Sequence, residues 1–381
     1  MKIGLMGFDF QSPNMGCEAL SYSFVNMLSE IVPDNLELVT FGYSPLGKFP
    51  EYYPNIKFTH RRVKMKNPLY WLQLKEEFSQ CKCVFDITYG DGFSDIYGKM
   101  WNINTDIQKQ IANMSSTPLV LLPQTYGPYK SRFLKNWAAH IIKKSHLCFS
   151  RDGLSAENMK KCGCNNINIA TDLAFALPFN KSLYNFSYDK LKIGINVSSL
   201  LWNEWSSNIE LKTDYKDYIR QIITYCTELT DSEVHLIAHV IDSNNSDSQE
   251  NDFSVCKMLH NEFPNTVLAP KFDNPINAKS YISNMDVFIG ARMHATIGAI
   301  SSGVATVPFS YSRKFEGLFN SLNYPYVISA TKISTEDAVN CTKEYIKNRD
   351  KLKADGNSSI KKTTAILNSV KQAVADIING K

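Results

Sequence analysis

Arg292 and His294 stand two residues apart, directly after the apolar run "DVFIGA" (286–291) and directly before the small-residue stretch "ATIGAISSG" (295–303). Side chains at that spacing share a direction on extended backbone, where faces alternate. On a helix they would diverge by about 200°. An extended strand end would therefore aim both into one place. The small residues Ala295, Gly298, Ala299, Ser301, Ser302 and Gly303 would let a following helix pack close to the sheet, its free N–H groups directed at the same spot. Tyr311 and Lys314 come after the next apolar run. Arginine, lysine and a titratable histidine around a helix start can hold phosphate and carboxylate groups while moving a proton near neutral pH. The plainer reading is a salt-bridge cluster.

Other chemistry-bearing residues fall at the ends of apolar runs. In "GFDFQSPNMGCEAL" (7–20), Gly7 and Gly16 permit a tight backbone and Glu18 opens a helix whose N–H groups could face an anion. The glycine spacing matches neither a dinucleotide fingerprint nor a P-loop, so an ordinary strand-to-helix turn is the alternative. In "ITYGDGFSDIYG" (87–98), Gly90 and Gly92 bracket Asp91 and Asp95 follows four residues on. Two carboxylates in one loop suit a general base and a hydroxyl ligand, or one can cap the next helix. Gln124 ends a strand beside Pro123 and Pro128, placed either to bond a substrate hydroxyl or to fix backbone. Arg151 ends another strand and is a candidate ligand for an anion, or a partner for Asp152 or Asp172; Asp152 reads as a helix cap. His239 closes "HLIAH", where a core or rim histidine is the alternative to a functional one, and Trp202 and Trp205 stand in a loop where they could stack on a sugar face.

The elements that must position these residues alternate. Strands are expected at 2–8, 36–41, 83–90, 118–124, 147–151 and 166–175, with helices at 18–31, 105–114, 130–144 and 153–161 between them. After a linker at 177–190 the pattern restarts, with strands at 191–197, 233–240, 266–270, 286–291 and 304–311 and helices at 214–229 and 252–262. This predicts two Rossmann-like α/β domains with parallel sheets, 1–178 and 191–335, closed by a helical segment over 336–381 whose last helix spans 360–378, after the glycine-bearing "KADGNSS". Ligand would lie in a cleft lined by loops at the strands' carboxyl ends.

Composition narrows the class. The 381 residues are 44% hydrophobic and can bury a substantial core. Lys plus Arg number 41 against 37 Asp plus Glu, a formal charge of +4. That balance excludes wholesale binding to nucleic acid or to an anionic membrane, so anion recognition must be local. "MKIGLMGFDF" lacks the apolar length of a secretory signal and no run approaches the ~20 apolar residues of a spanning helix, so a soluble cytoplasmic protein is expected. Nine cysteines are scattered, and the close pairs Cys81/Cys83 and Cys162/Cys164 lack zinc-knuckle spacing. They read as reduced thiols, and no metal is expected.

Taken in order, the motifs resemble those of the polysaccharide pyruvyltransferases. The points of likeness are N-x-G-x-E-A at 14–19, G-x-G-x-x-x-D at Gly90, Gly92 and Asp95, "PQTYGP" at 123–128, "RD" at 151–152, "TDLAF" at 171–175, "LIAH" at 236–239, "GARMHA" at 290–295 and Y-x-x-K-x-x-G at 311–317. The resemblance implies a GT-B-like pair of Rossmann domains, the first on the acceptor side and the second on the donor side. It also implies phosphoenolpyruvate as donor, no further cofactor, and a ketal-forming transfer onto a saccharide for a bacterial surface polymer such as capsule or exopolysaccharide. The acceptor could be lipid-linked, with peripheral association at the inner membrane. Arg292, His294 and Arg151 match positions tied to donor binding or catalysis, with Lys314 beside them. Asn14, Gly16, Gly90, Gly92, Gln124, His239 and Tyr311 would line the substrates. The chain departs from the family at Cys17, where Asp is usual, and at Asp91, inserted in a glycine loop. The base that takes a hydroxyl proton then falls to Glu18, Asp91 or Asp95, with His294 as acid or phosphate ligand. A nucleotide-sugar glycosyltransferase and a non-catalytic saccharide-binding homologue share these features.

Overall fold

The computed structural model describes residues 1–187, 189–204, 210–242 and 250–380, with Arg313 and Lys314 described by backbone alone. The chain forms two compact units, one of 1–12, 20–173 and 365–381, the other of 13–19 and 174–364.

The first unit's strands are β1 (Lys2–Met6), β2 (Glu37–Gly42), β3 (Lys57–Arg62), β4 (Val84–Asp86), β5 (Leu119–Gln124), β6 (Leu147–Ser150) and β7 (Ile167–Ile169). Between them run α1 (Met15–Ile31), α2 (Pro68–Ser79), α3 (Lys99–Asn113), α4 (Arg132–Lys144) and α5 (Gly153–Lys160). The strands pair in parallel, in the order β3-β2-β1-β4-β5-β6-β7. Helices on both faces bury a parallel strand on both sides, which is why β5, "LVLLPQ", is buried at every position. Phe41, Leu74, Phe78, Leu121 and Ile142 form the core on one face.

The second unit repeats the scheme. It contains β8 (Leu191–Asn196), α6 (Ser199–Trp202), α7 (Tyr215–Thr227), β9 (Ser232–Ile237), α8 (Asp252–Glu262), β10 (Val267–Leu268) and α9 (Pro275–Ile282). There follow β11 (Val287–Gly290), α10 (Met293–Ser301), β12 (Ala305–Ser310), α11 (Arg313–Ser321), β13 (Ile328–Ser329), α12 (Thr335–Lys347) and α13 (Arg349–Ile378). Its strand order is β10-β9-β8-β11-β12-β13, again parallel. In each sheet the order reverses once, at β1/β4 and at β8/β11. Ligands of open parallel sheets bind outside the carboxyl ends of such strand pairs.

Several elements differ from expectation, each for a physical reason. The strand expected over 83–90 stops at Asp86, because Thr88 and Tyr89 take left-handed backbone with φ of 38° and 56°. The run 166–175 keeps only β7 as strand and turns into a single 3₁₀ turn over Leu173–Ala176. Helix α1 begins at Met15 rather than Glu18, and α3 at Lys99 rather than Thr105. No element is expected from the sequence over 57–79, where β3 is a half-exposed edge strand and α2 buries only Tyr70, Leu74 and Phe78. Helix α13 passes straight through "KADGNSS", because Gly356 packs within reach of Ile300 and Tyr324.

The stretch taken as a linker, 177–190, belongs to the second unit. It is tied to α9 and the residue after it: Asn180 N–H donates to Ser280 Oγ (2.9 Å), Lys279 Nζ to the Leu177 carbonyl (2.7 Å) and Asn284 Nδ2 to the Lys181 carbonyl (3.1 Å). The tail 365–381 counts with the first unit, where Lys371 pairs with Glu30.

Candidate active site

At the β8/β11 switch point the chain leaves Gly290 and Arg292 becomes the N-cap of α10, with extended backbone (φ −94°, ψ 122°). Its N–H donates to Asn196 Oδ1 at the end of β8 (2.9 Å). His294, two residues on, already lies in the first helical turn. The expectation that an extended strand end aims both side chains the same way is therefore corrected: the strand has ended, and the two side chains go to different partners.

Arg292 is buried and forks onto Asp252 at the start of α8, with Nε to Oδ2 at 3.2 Å and Nη2 to Oδ1 at 2.7 Å. Nη2 also reaches Ser199 Oγ (3.4 Å), and Nη1 lies 3.8 Å from Glu250. Asp252 is fully buried and accepts in addition from the N–H groups of Ser199 (2.9 Å), Val240 (2.9 Å) and His239 (3.3 Å). Burial opposes the arginine's charge, but the Asp252 carboxylate outweighs it and holds the guanidinium above its ordinary pKa. Tyr311 is near enough to act on the same charge. A carboxylate–guanidinium fork of this kind is directional and strong. Much of the donor capacity expected of Arg292 is spent on fixing the loops after β8 and β9.

His294 is half-buried, and its ring occupies the space that a side chain at position 16 would need. A Cβ on Gly16 would stand 2.3 Å from Nδ1 and 2.8 Å from Cγ. The Asn14–Ala19 motif is thus part of the second unit. Asn14 bridges to Val240, Asn14 Oδ1 accepts from Gly16 N–H (2.9 Å) and Met15 N–H donates to the His239 carbonyl (3.3 Å). Glu18 is buried in the first turn of α1.

Beneath His294 lies a small cavity lined by Ala19, Leu177, His239, Lys279 and Gly298, among others. Burial first, then the neighbouring His294, drives the His239 pKa down to about 3, so that imidazole is neutral. Burial likewise brings Lys279 down to about 7. Lys279 is the residue the sequence reading missed. A lysine in the amphipathic run of α9 carries no local sign of burial, and only Gly298, 3.7 Å from its Cγ by a built Cβ, marks the face it packs on. Asp252 escaped notice for the same reason.

In the first unit the expected residues gather at the carboxyl ends of β4, β5 and β6. Arg151 is buried, with Nη1 to Asp172 Oδ2 at 2.9 Å and Nε to Thr125 Oγ1 at 2.8 Å. Its Nη2 is buried without a hydrogen-bond partner among the described residues, so one donor is unspent. Gly90 has φ +86° and a Cβ there would lie 2.7 Å from Leu20 and 3.1 Å from Arg151 Nη1. Only glycine lets this loop lie against the guanidinium. Gly92 faces the Thr88 carbonyl, 2.8 Å from a built Cβ. Asp91 is half-buried and accepts from Tyr97 Oη (3.1 Å).

Two candidates turn inward. Asp95, expected as a base, accepts from the backbone N–H groups of Lys130 (2.9 Å) and Ser131 (2.8 Å), which satisfies its carboxylate structurally. Gln124 is fully buried and gives Nε2 to the Asp86 carbonyl and carboxylate (both 3.2 Å), which ties it to β4, while its Oε1 has no hydrogen-bond partner among the described residues. Asp152 caps α5 as expected, accepting from Ser155 N–H at 2.7 Å. Trp202 is buried, and Trp205 and the Lys314 side chain lie outside what is described. Among the described residues no group of three His, Cys, Asp or Glu could hold a metal ion, and no helix is long and apolar enough to cross a membrane.

Two parallel sheets of seven and six strands flanked by helices, with polar loops at both switch points, define an α/β protein of the GT-B glycosyltransferase and epimerase type. Solved structures show the same fold. The Neisseria meningitidis UDP-GlcNAc 2-epimerase bound to UDP-GlcNAc is similar with a TM-score of 0.61 at 10% identity, covering 100% of both chains. Anabaena Alr3699/HepE in complex with UDP and glucose has a TM-score of 0.59 at 10% identity over 100% of both chains. A Rickettsia africae glycosyltransferase reaches 0.61 at 9% identity over 99% of this chain and 98% of that one. No curated protein is a match in sequence. Within this class the chain belongs to the polysaccharide pyruvyl transferase family, whose model matches residues 14–313.

Proposed function

We propose that the protein transfers the pyruvyl group of phosphoenolpyruvate to two hydroxyls of a saccharide, forming a cyclic ketal and releasing phosphate in the synthesis of a bacterial surface polysaccharide. The observation that carries the reading is His294 in the first turn of α10, its ring seated on Gly16 above a cavity it shares with Lys279. An imidazole at a helix N-terminus beside a buried amine suits a substrate that carries phosphate and carboxylate and must be protonated on carbon.

In the proposed reaction His294 gives its proton to the methylene carbon, leaving an oxocarbenium-like C2. A sugar hydroxyl adds to C2 while Asp91 or Glu18 accepts its proton. A second hydroxyl then forms the other C2–O bond as the bond from C2 to the phosphate oxygen breaks, and its proton returns to His294. Arg292 holds the loop from which His294 projects, Tyr311 stands beside it, and Lys314 follows in α11. Arg151 offers Nη2 to an anionic or hydroxyl oxygen. No cofactor beyond the donor is invoked. A lipid-linked acceptor, met at the inner membrane surface from the cytoplasm, fits this chemistry.

The test is phosphate release and a mass gain of one pyruvyl ketal when the protein meets phosphoenolpyruvate and a panel of glycosides. His294→Ala should lower kcat by about 10²–10⁴-fold, the range of a general acid. An unchanged rate would overturn the site. Thermal stabilisation by UDP-sugars and none by phosphoenolpyruvate would point instead to nucleotide-sugar glycosyl transfer; the Rickettsia relative in fold is named a glycosyltransferase.

A further inference from the structure

At the amino ends of β8, β11 and β12, the opposite end of the second sheet from His294, lies a pocket that the proposed transfer chemistry leaves unused. It belongs wholly to the second unit and offers about 270 Å³. Pockets for drug-sized ligands start at roughly 300 Å³, so this one suits a smaller molecule. In its wall lysines outnumber acids four to one, with Lys181, Lys190, Lys192 and Lys353 against Asp286.

Lys192, the second residue of β8, is the unusual member. It is 2% exposed, and its Nζ makes a single long hydrogen bond, to the Lys190 carbonyl (3.4 Å). An ammonium group has three donors to place, and burying it without partners is costly. Among the described residues no carboxylate comes within ion-pair distance of it. Asp286 accepts the Lys192 backbone N–H (2.8 Å), and Glu233, opposite Lys192 in β9, bonds His235 instead (2.9 Å). Asp189 is exposed, its charge favoured first by a Ser187 hydrogen bond and then by Lys192 and Lys190.

Lysines at this place could serve only to cap α9 and α10, whose carboxyl ends both meet the pocket. Those ends are already closed by their own side chains. Ser283 Oγ and Asn284 Nδ2 donate to the Ser280 carbonyl (2.8 and 2.9 Å), and Ser302 Oγ to the carbonyls of Gly298 and Ala299 (2.9 and 3.0 Å). Asn284 spends its other amide hydrogen on the Lys181 carbonyl (3.1 Å), and its Oδ1, buried in the pocket wall, has no hydrogen-bond partner among the described residues. The wall thus keeps lysine donors and one amide acceptor unspent. A phosphomonoester carries about −1.5 to −2 at pH 7, so four ammonium groups match two linked phosphates. From this arrangement we infer that the pocket binds the diphosphate group of a small ligand, the four lysines taking its oxygens while Asn284 Oδ1 accepts from a protonated oxygen or a hydroxyl of the ligand. The inference does not depend on the transfer reaction.

Isothermal titration calorimetry of the intact protein with sodium pyrophosphate tests it, at physiological salt where exposed charges alone are largely screened. A parallel arm uses vesicles containing cardiolipin, whose headgroup links two phosphates. Pyrophosphate or the vesicles should bind saturably, and pyrophosphate that binds should raise Tm. Lys192→Met, and the double variant Lys190→Gln, Lys353→Gln, should each weaken that binding at least about tenfold. Without ligand, Lys192→Met should hold or raise Tm, since it removes a buried charge that lacks a carboxylate partner. The double variant alters exposed side chains only, so it reads binding even if Lys192→Met does not fold. Pyrophosphate binding lost in the variants supports a free diphosphate as ligand, and vesicle binding lost in them supports a lipid headgroup. Binding of neither, or equal binding by wild type and variants, as when pyrophosphate sits beside His294 instead, would overturn the site.

Discussion

At the residue scale the site at the start of α10 is governed by one exclusion and one ion pair. Gly16 is glycine because His294 fills the volume of its missing side chain. Gly16→Ala puts a methyl group 2.3 Å from Nδ1 and must turn the imidazole away. Alanine in a helix is otherwise better than glycine by about 1 kcal/mol. The expected outcome is a kcat lowered by at least tenfold with Tm unchanged or slightly raised, read from initial rates and calorimetry. A parallel fall in both would mean that the turn, not the ring, was damaged. Arg292 was legible as a cation at a strand end, but not its partner. Asp252 lies forty residues earlier, and nothing local to either residue announces a buried fork. Asp95 carries the same lesson, since a side chain satisfied by backbone and one offered to substrate look alike until their neighbours are known.

At the element scale, strands were legible because those of a covered parallel sheet are apolar on both faces, as in β5 and β12. Edge strand β3 escaped because "KFTHRR" is half-exposed and polar. Helix α13 is longer than the 360–378 expected from the sequence, where Gly356 and its polar neighbours look like a break. Tertiary contact decides otherwise. A Cβ at Gly356 would meet Ile300 at 3.4 Å and Tyr324 at 3.7 Å, ordinary van der Waals distances. Gly356→Ala should therefore stabilise the protein by about 0.5–1 kcal/mol, through helix propensity plus a buried methyl. A denaturation midpoint that falls would show that the helix needs glycine there for close packing.

For the whole molecule, pH sets stability through a buried carboxyl in the first unit. Asp106 is fully buried, neither oxygen has a hydrogen-bond partner among the described residues, and Lys109 is 4.0 Å away. Burial raises its pKa to about 7, against the opposing pull of Lys109. The folded state thus keeps a proton that the unfolded chain releases near pH 4. Stability is highest below that point, falls as pH climbs to about 7, and stays lowered above it. Asp106→Asn removes the ionisation, so its Tm should exceed that of wild type at pH 8 by a few degrees and match it at pH 4.5. An equal difference at both pH values would refute the linkage.

The sequence by itself determined the alternation of strand and helix, the parallel sheets and the loops where chemistry gathers, because hydrophobic period and glycine position are local properties. It also placed Arg292, His294, Arg151 and the glycine loop at strand ends. Only the tertiary structure decided which of them are spent. It turned Arg292 onto Asp252, left Nη2 of Arg151 without a hydrogen-bond partner among the described residues, brought Lys279 under His294 and moved residues 13–19 into the second unit. Those outcomes depend on which distant groups share a buried volume, and burial is what makes a hydrogen-bond partner obligatory.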